Sequence, residues 1–167
     1  QRWVRDVVVP LSLCPYAREP LEGDRYAYSV SNASCADELI ADFLDAAEDL
    51  LSERSPTEVA ATVLIAPRLD GALSLEEFSA LAGMLEDQCQ DELDPICGGA
   101  VGAAFFHPRH VFDGLEPDDA LNYERRAPFP CATLLRSTDV GKIVRAGLAE
   151  GRIISKDIHA NNARVLR

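Results

Sequence analysis

The sequence predicts a single-domain α/β protein: a layered sheet of four to five strands, partly parallel, with helices packed on it. Three observations predict it. Apolar stripes at helical spacing alternate along the chain with short, almost continuous apolar runs, and strands that alternate with helices imply right-handed crossovers. The length of 167 residues suits one domain, and a chain of that size buries roughly two-thirds of the surface it exposes when unfolded. No internal repeat, low-complexity linker or second domain interrupts the pattern, so the domain spans 1–167, with 153–167 expected as a basic, partly helical arm over the sheet.

Trp3, Val4, Val7, Val8 and Leu11 recur at helical spacing, and Pro10 must end or kink that helix because it has no N–H to donate. Leu13 to Arg18 reads as the turn that follows, with Cys14 extended ahead of Pro15. Arg25 to Ser31 alternates Tyr26, Tyr28 and Val30 against smaller residues, a strand signal. Ser34, with Asp37 three positions on, predicts a helix start. Leu39, Ile40, Phe43, Leu44, Ala47, Leu50 and Leu51 form its apolar stripe, which ends near Ser55-Pro56.

Ala61 to Ala66 is a short apolar run of the kind buried on both faces of a sheet. Ser74-Leu75-Glu76-Glu77 is a capping box, with Leu75, Phe78, Leu81, Ala82 and Leu85 inward behind it. Val101–Phe106 and Cys131–Leu135 supply the third and fourth strands. Ser137-Thr138-Asp139 opens a last amphipathic helix with Val140, Ile143, Val144 and Leu148 inward, closed by Gly151.

The net charge of −12 argues against a nucleic-acid or anionic-membrane surface, since both require clustered cations. No apolar run reaches the roughly 20 residues that span a bilayer. No signal-peptide pattern opens the chain, and Gln1 in place of Met fits the trimming of an earlier segment. The acids concentrate between Asp37 and Glu58 and between Glu76 and Asp94, as solvated helix faces do. Five cysteines, Cys14, Cys35, Cys89, Cys97 and Cys131, are widely spaced and contain no C-x-x-C. That pattern fits small buried hydrophobes in an intracellular, reducing compartment, cytoplasm or plastid.

Chemistry-bearing residues concentrate between Phe105 and Pro130, a stretch with two of the three histidines, two adjacent arginines and four prolines. His107 stands at the end of a strand, where open α/β sheets bind ligands, and suits a general base or a metal ligand. His110 is three positions on, but no local spacing supplies a third ligand. Arg125-Arg126 is the concentrated cation pair of an acidic chain. Arg126, on a proline-braced loop, would grip a carboxylate or phosphate, or would pair with Asp118 or Asp119 and hold the loop shut. Asn122 and Tyr123 would position a ligand or cap a turn.

Cys14 would act as a thiolate if its loop reached His107, and as a packing residue otherwise. Asp70 to Phe78 looks like the back half of a calcium-binding EF-hand, but Ala66 and Arg68 occupy its front ligand positions, so a turn and a helix cap are the reading. Gly98-Gly99-Ala100-Val101-Gly102 precedes a strand rather than a helix, so it is a turn and not a phosphate loop.

Trp3-Val4, Leu13-Cys14-Pro15-Tyr16-Ala17, Phe106-His107-Pro108, Phe112, Pro117-Asp118-Asp119, Asn122-Tyr123, Arg126, Pro128-Phe129-Pro130 and Leu134-Leu135-Arg136 resemble the domain of unknown function 1415 family. The resemblance follows the family's order over nearly the whole chain. It implies a soluble single domain, bacterial in the main with relatives in photosynthetic eukaryotes, and supplies no activity. Cys14, His107, Asn122 and Arg126 fall on the family pattern. His110 falls where the family has an aromatic residue and Arg125 where it has Asn, which favours Arg126 as the functional arginine. Tyr16, Ala127 and Phe129 are mild departures.

These residues support one leading expectation and two alternatives. The leading one is a small thiol-dependent enzyme acting on an anionic small molecule, with Cys14 as nucleophile, His107 as acid/base, Arg126 as anion clamp and Asn122 and Tyr123 as positioners. The alternatives are a non-catalytic ligand- or protein-binding domain that uses the proline-rich 107–130 loop, and a metal-dependent enzyme built on His107. The residues name no cofactor and leave the oligomeric state open.

Overall fold

The computed structural model describes residues 1–52, 59–91 and 97–167. Four strands, β1 (Tyr26–Val30), β2 (Ala61–Ile65), β3 (Val101–Phe106) and β4 (Cys131–Arg136), form one sheet in the order β1-β2-β4-β3. β1 and β2 are parallel, and β4 is antiparallel to both of its neighbours. β1, β2 and β3 therefore share a direction, and β4 is inserted between two of them against it. The mixed, partly parallel α/β architecture is the one the alternating pattern predicts.

Helices α1 (Arg18–Glu22), α2 (Ala36–Leu51), α3 (Leu75–Gln90), α4 (Ser137–Ala149) and α5 (Ile154–Leu166) complete the frame. A π-helical turn spans Val4–Val8, and 3-10 turns span Pro67–Leu69 and Ala120–Glu124. Register puts Leu64, Ala132 and Phe105 on one face of the sheet, and Val63, Thr133 and Ala104 on the other. α2 and α3 cover the first face. Leu39, Phe43, Ala47 and Leu50 come from α2, and Phe78, Leu81, Leu85 and Cys89 from α3. Phe43 stacks on Phe105 at 5.5 Å, and Phe78 meets the same ring edge-on at 6.3 Å. The second face is thinner: Trp3 sits edge-on to Phe106 at 5.2 Å, beside Val63, Ala127 and Cys131.

Local chemistry explains the helix boundaries. Ser74 accepts from the Glu77 N–H at 3.1 Å and the Glu77 carboxylate accepts from the Ser74 N–H at 2.8 Å, closing the expected capping box. At α2 no reciprocal box forms: the Ser34 N–H and hydroxyl both donate to the Glu38 carboxylate, Asp37 takes no part, and the helix starts directly after Cys35. The stripe of α2 ends at Leu51; Ser55-Pro56 lies outside the described residues. α4 ends in a Schellman motif, with Gly151 N–H on Leu148 O and Arg152 N–H on Gly147 O, and Gly151 takes a φ of 73°.

Three expectations change. Leu148 points outward, 58% exposed, because the contact between α4 and α5 is made at Gly147, where a Cβ would come within 2.5 Å of Ile154 Cδ1. The turn expected over Leu13 to Arg18 is present, and a short helix not expected from the sequence, α1, follows it from Arg18. The basic tail is the full helix α5, and it packs on the N-terminal segment rather than over the sheet. There Asn161 and the fully buried Asn162 donate to the carbonyls of Leu11, Ser12 and Leu13, and Val165 and Leu166 join the Val4–Val8 cluster.

The two edges of the sheet are finished differently. On β1 no bond is made outward by Tyr26, Tyr28 or Val30 among the described residues. On β3 the Phe105 N–H donates to Glu86 Oε1 at 3.3 Å and the Phe105 carbonyl accepts from Arg125 Nη1 at 3.2 Å. Phe43→Ala should cost about 4 kcal/mol of unfolding free energy, because it opens a cavity against Phe105. Leu148→Ala should stay within about 0.5 kcal/mol. Urea titrations of both variants check the assignment of inward and outward faces.

Candidate functional site

The connection from β3 to β4 leaves the sheet at His107, whose side chain falls on the α3 face by the period-two rule. The imidazole is 1% exposed and lies 5.0 Å from the Phe78 ring. The His107 backbone N–H donates to Arg125 O at 3.1 Å, and the ring Nδ1 accepts the Arg109 backbone N–H at 3.2 Å. In a neutral ring an acceptor Nδ1 places the proton on Nε2. Nε2 is buried, has no hydrogen-bond partner in the protein, and stands 3.8 Å from Asp70 Oδ1. Burial lowers the His107 pKa, Arg109 lowers it further, and Asp70 raises it against them. His107 is therefore a neutral hydrogen-bond donor, with the lone pair of its other nitrogen already occupied.

The imidazole forms part of the wall of a cavity of about 210 Å³, with Phe78 and Glu86 from α3 and His110, Phe112 and Arg125 from the loop. His110 meets Phe112 edge-on at 4.6 Å, and its Nε2 is likewise buried without a partner. Its pKa is lowered by burial first, then by Arg125, Arg126 and His107. The two imidazoles and the Arg125 guanidinium thus share one electrostatic neighbourhood. Arg125 Nη1 also donates to Glu86 Oε1 at 3.2 Å, and its guanidinium lies 5.8 Å from the Phe106 ring centre.

The remaining expected residues group elsewhere. Asn122 is fully buried. It accepts the Phe112 N–H at 2.9 Å and donates to the carbonyls of Glu116 at 2.8 Å and Pro117 at 3.4 Å. Arg126 donates from Nε to His110 O at 2.9 Å and from Nη2 to Pro117 O at 2.7 Å, with its guanidinium 5.1 Å from the Tyr123 ring centre. Tyr123 is exposed. Asn122, Tyr123 and Arg126 come together as a brace that holds the loop through its carbonyls, and none of the three lines the cavity. Arg126 holds the loop without Asp119, whose carboxylate pairs with Arg167 at 2.9 Å.

Cys14 packs in the N-terminal cluster with Val4, Val8, Leu21 and Tyr26, on the sheet face opposite the His107 ring. Burial pushes its thiol up, and the Tyr16 and Ala17 backbone N–H groups and Arg125 pull it down by less. Cys14 and the His107 ring lie on opposite faces of the sheet, so the structure does not bring them together. The EF-hand-like stretch forms no cation loop: Asp70 turns to Arg109 at 3.2 Å and Glu77 closes the helix cap. Gly98 and Gly99 take φ of 46° and 69° in a turn before β3. No group of three or more His, Cys, Asp or Glu side chains that could hold a metal occurs among the described residues.

Sequence reasoning missed Asp70, Phe78, Glu86 and Arg125 as members of the site. A signal for Glu86 was present: it extends the inward row Phe78, Ala82 by one more turn, and an acid in an inward row requires a partner.

Two outcomes follow from this geometry. Asn122→Ala leaves the Phe112 N–H without a partner and takes one of two donors from each of the Glu116 and Pro117 carbonyls, and should lower stability by about 2 kcal/mol in urea unfolding. Both His107 and His110 are held below the ordinary value of 6.5, so the unfolded chain binds more protons than the folded one just below that pH. Their contribution is complete above pH 6.5 and is lost as pH falls. The urea midpoint should be flat near neutrality and drop from pH 6.5 towards pH ~5, before the carboxylates titrate. His110→Phe should flatten part of that drop.

No curated protein and no solved structure matches this chain. A family model described as a protein of unknown function, DUF1415, matches residues 1–166, and the chain belongs to that family.

Proposed function

We propose that this domain binds a small, partly apolar carboxylate in the cavity between α3 and the 107–126 loop. The observation that carries the reading is the His107 Nε2–H, a buried donor on a cavity-lining residue with no protein acceptor within hydrogen-bond distance, Asp70 Oδ1 standing at 3.8 Å. A buried donor left unpaired costs free energy that a ligand oxygen would recover. His110 offers a second unpartnered nitrogen, and Arg125 supplies a cation that is paired with Glu86 at 3.2 Å. Phe78 and Phe112 supply the apolar surface. The cavity is smaller than the drug-sized range of roughly 300–1,000 Å³, so the ligand is compact.

Any chemistry at this site would use His107 to polarise an oxygen by donation, because its Nδ1 lone pair is already committed to Arg109. In support of the thiol-dependent reading, with Cys14 as nucleophile, His107 as acid/base and Arg126 as clamp, the Tyr16 and Ala17 backbone N–H groups and then the Arg125 charge act on Cys14 in the direction of ionisation. Burial outweighs them.

Ligand-observed NMR with a panel of small aromatic and branched carboxylates, each paired with its amide, tests the binding reading. Carboxylates should bind the wild-type chain at least tenfold more tightly than their amides, and Arg125→Gln should remove that preference. Equal binding of acid and amide, or a preference retained in Arg125→Gln, overturns the proposal. For the thiol reading, Cys14 should be alkylated at least tenfold more slowly than the exposed Cys35 at neutral pH. A faster Cys14 that slows in His107→Ala would instead make the thiol enzyme the better account.

A further inference from the structure

Cys89 and Cys97 are both in the main core, 1% and 0% exposed, and their sulfur atoms stand 3.7 Å apart. Cys89 is in the last turn of α3, and Cys97 begins the glycine turn that leads into β3. The other three cysteines are placed apart from them: Cys14 in the N-terminal cluster, Cys35 at the start of α2, and Cys131 on the opposite face of the sheet. A disulfide holds its sulfurs at about 2.05 Å, so the pair must close by only about 1.7 Å. Gly98 and Gly99, both at positive φ directly after Cys97, form a backbone segment with no Cβ to resist the adjustment.

We infer that Cys89 and Cys97 are a redox pair: peroxide-class oxidants join them in a disulfide that staples the end of α3 to the entry of β3. One thiolate attacks hydrogen peroxide, takes up an oxygen to become a sulfenic acid and releases hydroxide, which leaves as water after taking the thiol's proton. The second sulfur then attacks the sulfenic sulfur, the S–S bond forms, and a second water departs. Each sulfur gives up one electron, and the peroxide is reduced to two waters. At 1% and 0% exposure neither sulfur is open to a bulky thiol, so the internal bond is favoured over a mixed disulfide.

The staple would reinforce a wall that already has one tie. Glu86, one helical turn before Cys89, holds the Phe105 N–H of β3. The inference stands on the sulfur geometry and does not require the carboxylate reading of the cavity.

Peptide mapping without reduction tests it, on the full chain treated with hydrogen peroxide and then alkylated in denaturant. In wild type and in Cys35→Ser, Cys89 and Cys97 should be lost to alkylation together. A linked peptide lighter by two hydrogens should appear and vanish with a dithiol reductant. The thermal midpoint should rise by roughly 5 °C on oxidation and return on reduction. Cys97→Ser should give neither change. Two results overturn the inference: both thiols still open to alkylation after peroxide treatment, or their conversion to sulfinic and sulfonic acids with no linked peptide. Because wild-type mapping decides the matter, it does not depend on Cys97→Ser folding.

Discussion

The guanidinium of Arg125 closes the sheet. β3 is an edge strand, and an edge presents backbone groups that must find partners or remain open to another chain. Arg125 satisfies the Phe105 carbonyl while its ion-pair partner Glu86 accepts the Phe105 N–H. One charge pair thus finishes one residue's two outward groups. The same arginine rests on Phe106 and accepts the His107 N–H through its own carbonyl, so the loop is registered against the strand that it leaves. Glu86 stands in an inward row of α3 because this edge requires an acceptor there, and a half-buried carboxylate is tolerated only when paired.

The long connection to β4 has little regular structure and would carry many unpaired carbonyls without help. Two side chains supply most of that help. Asn122 spans Phe112, Glu116 and Pro117, and Arg126 spans His110 and Pro117, so both converge on the carbonyl of Pro117. The C-terminal helix adds an outer tie, Arg167 to Asp119, while its asparagines hold the N-terminal turn. The chain's two ends are thereby fastened to each other and to the loop. A loop braced at so many points can present a fixed site, as scaffold-mounted loops do.

The sequence revealed most where a period runs long. The α2 and α3 stripes are four turns of consistent spacing, and the Ser74–Glu77 box is a local bond pattern that needs no tertiary context. Strand positions followed for the same reason, but strand direction did not: alternating elements imply crossovers, whereas the direction of β4 depends on where a 24-residue irregular loop (107–130) comes down. The reading of Leu148 failed because periodicity reports which residues are apolar and not which face a glycine brings close to its neighbour. The choice between Arg125 and Arg126 had no periodic signal at all. Adjacent residues in irregular backbone point in unrelated directions, and the family resemblance favoured Arg126, which braces the loop, over Arg125, which lines the cavity.

One backbone hydrogen bond then decides what the central histidine can do. With Arg109 N–H on Nδ1, His107 keeps its proton on Nε2, and a group that reads from sequence as a general base becomes a donor. Depressed basicity reinforces this: at neutral pH neither imidazole carries charge, so the formal charges in the cavity wall are those of Arg125 and Glu86, which largely cancel. A dianion would be poorly compensated in such a place, whereas a single carboxylate could share Arg125 with Glu86 and accept from His107 Nε2. Acidification would charge the histidines and favour more anionic occupants, but it would also draw on the stability that holds the same rings buried. The selectivity proposed for the cavity and the stability of the loop would therefore be linked through the same two protons.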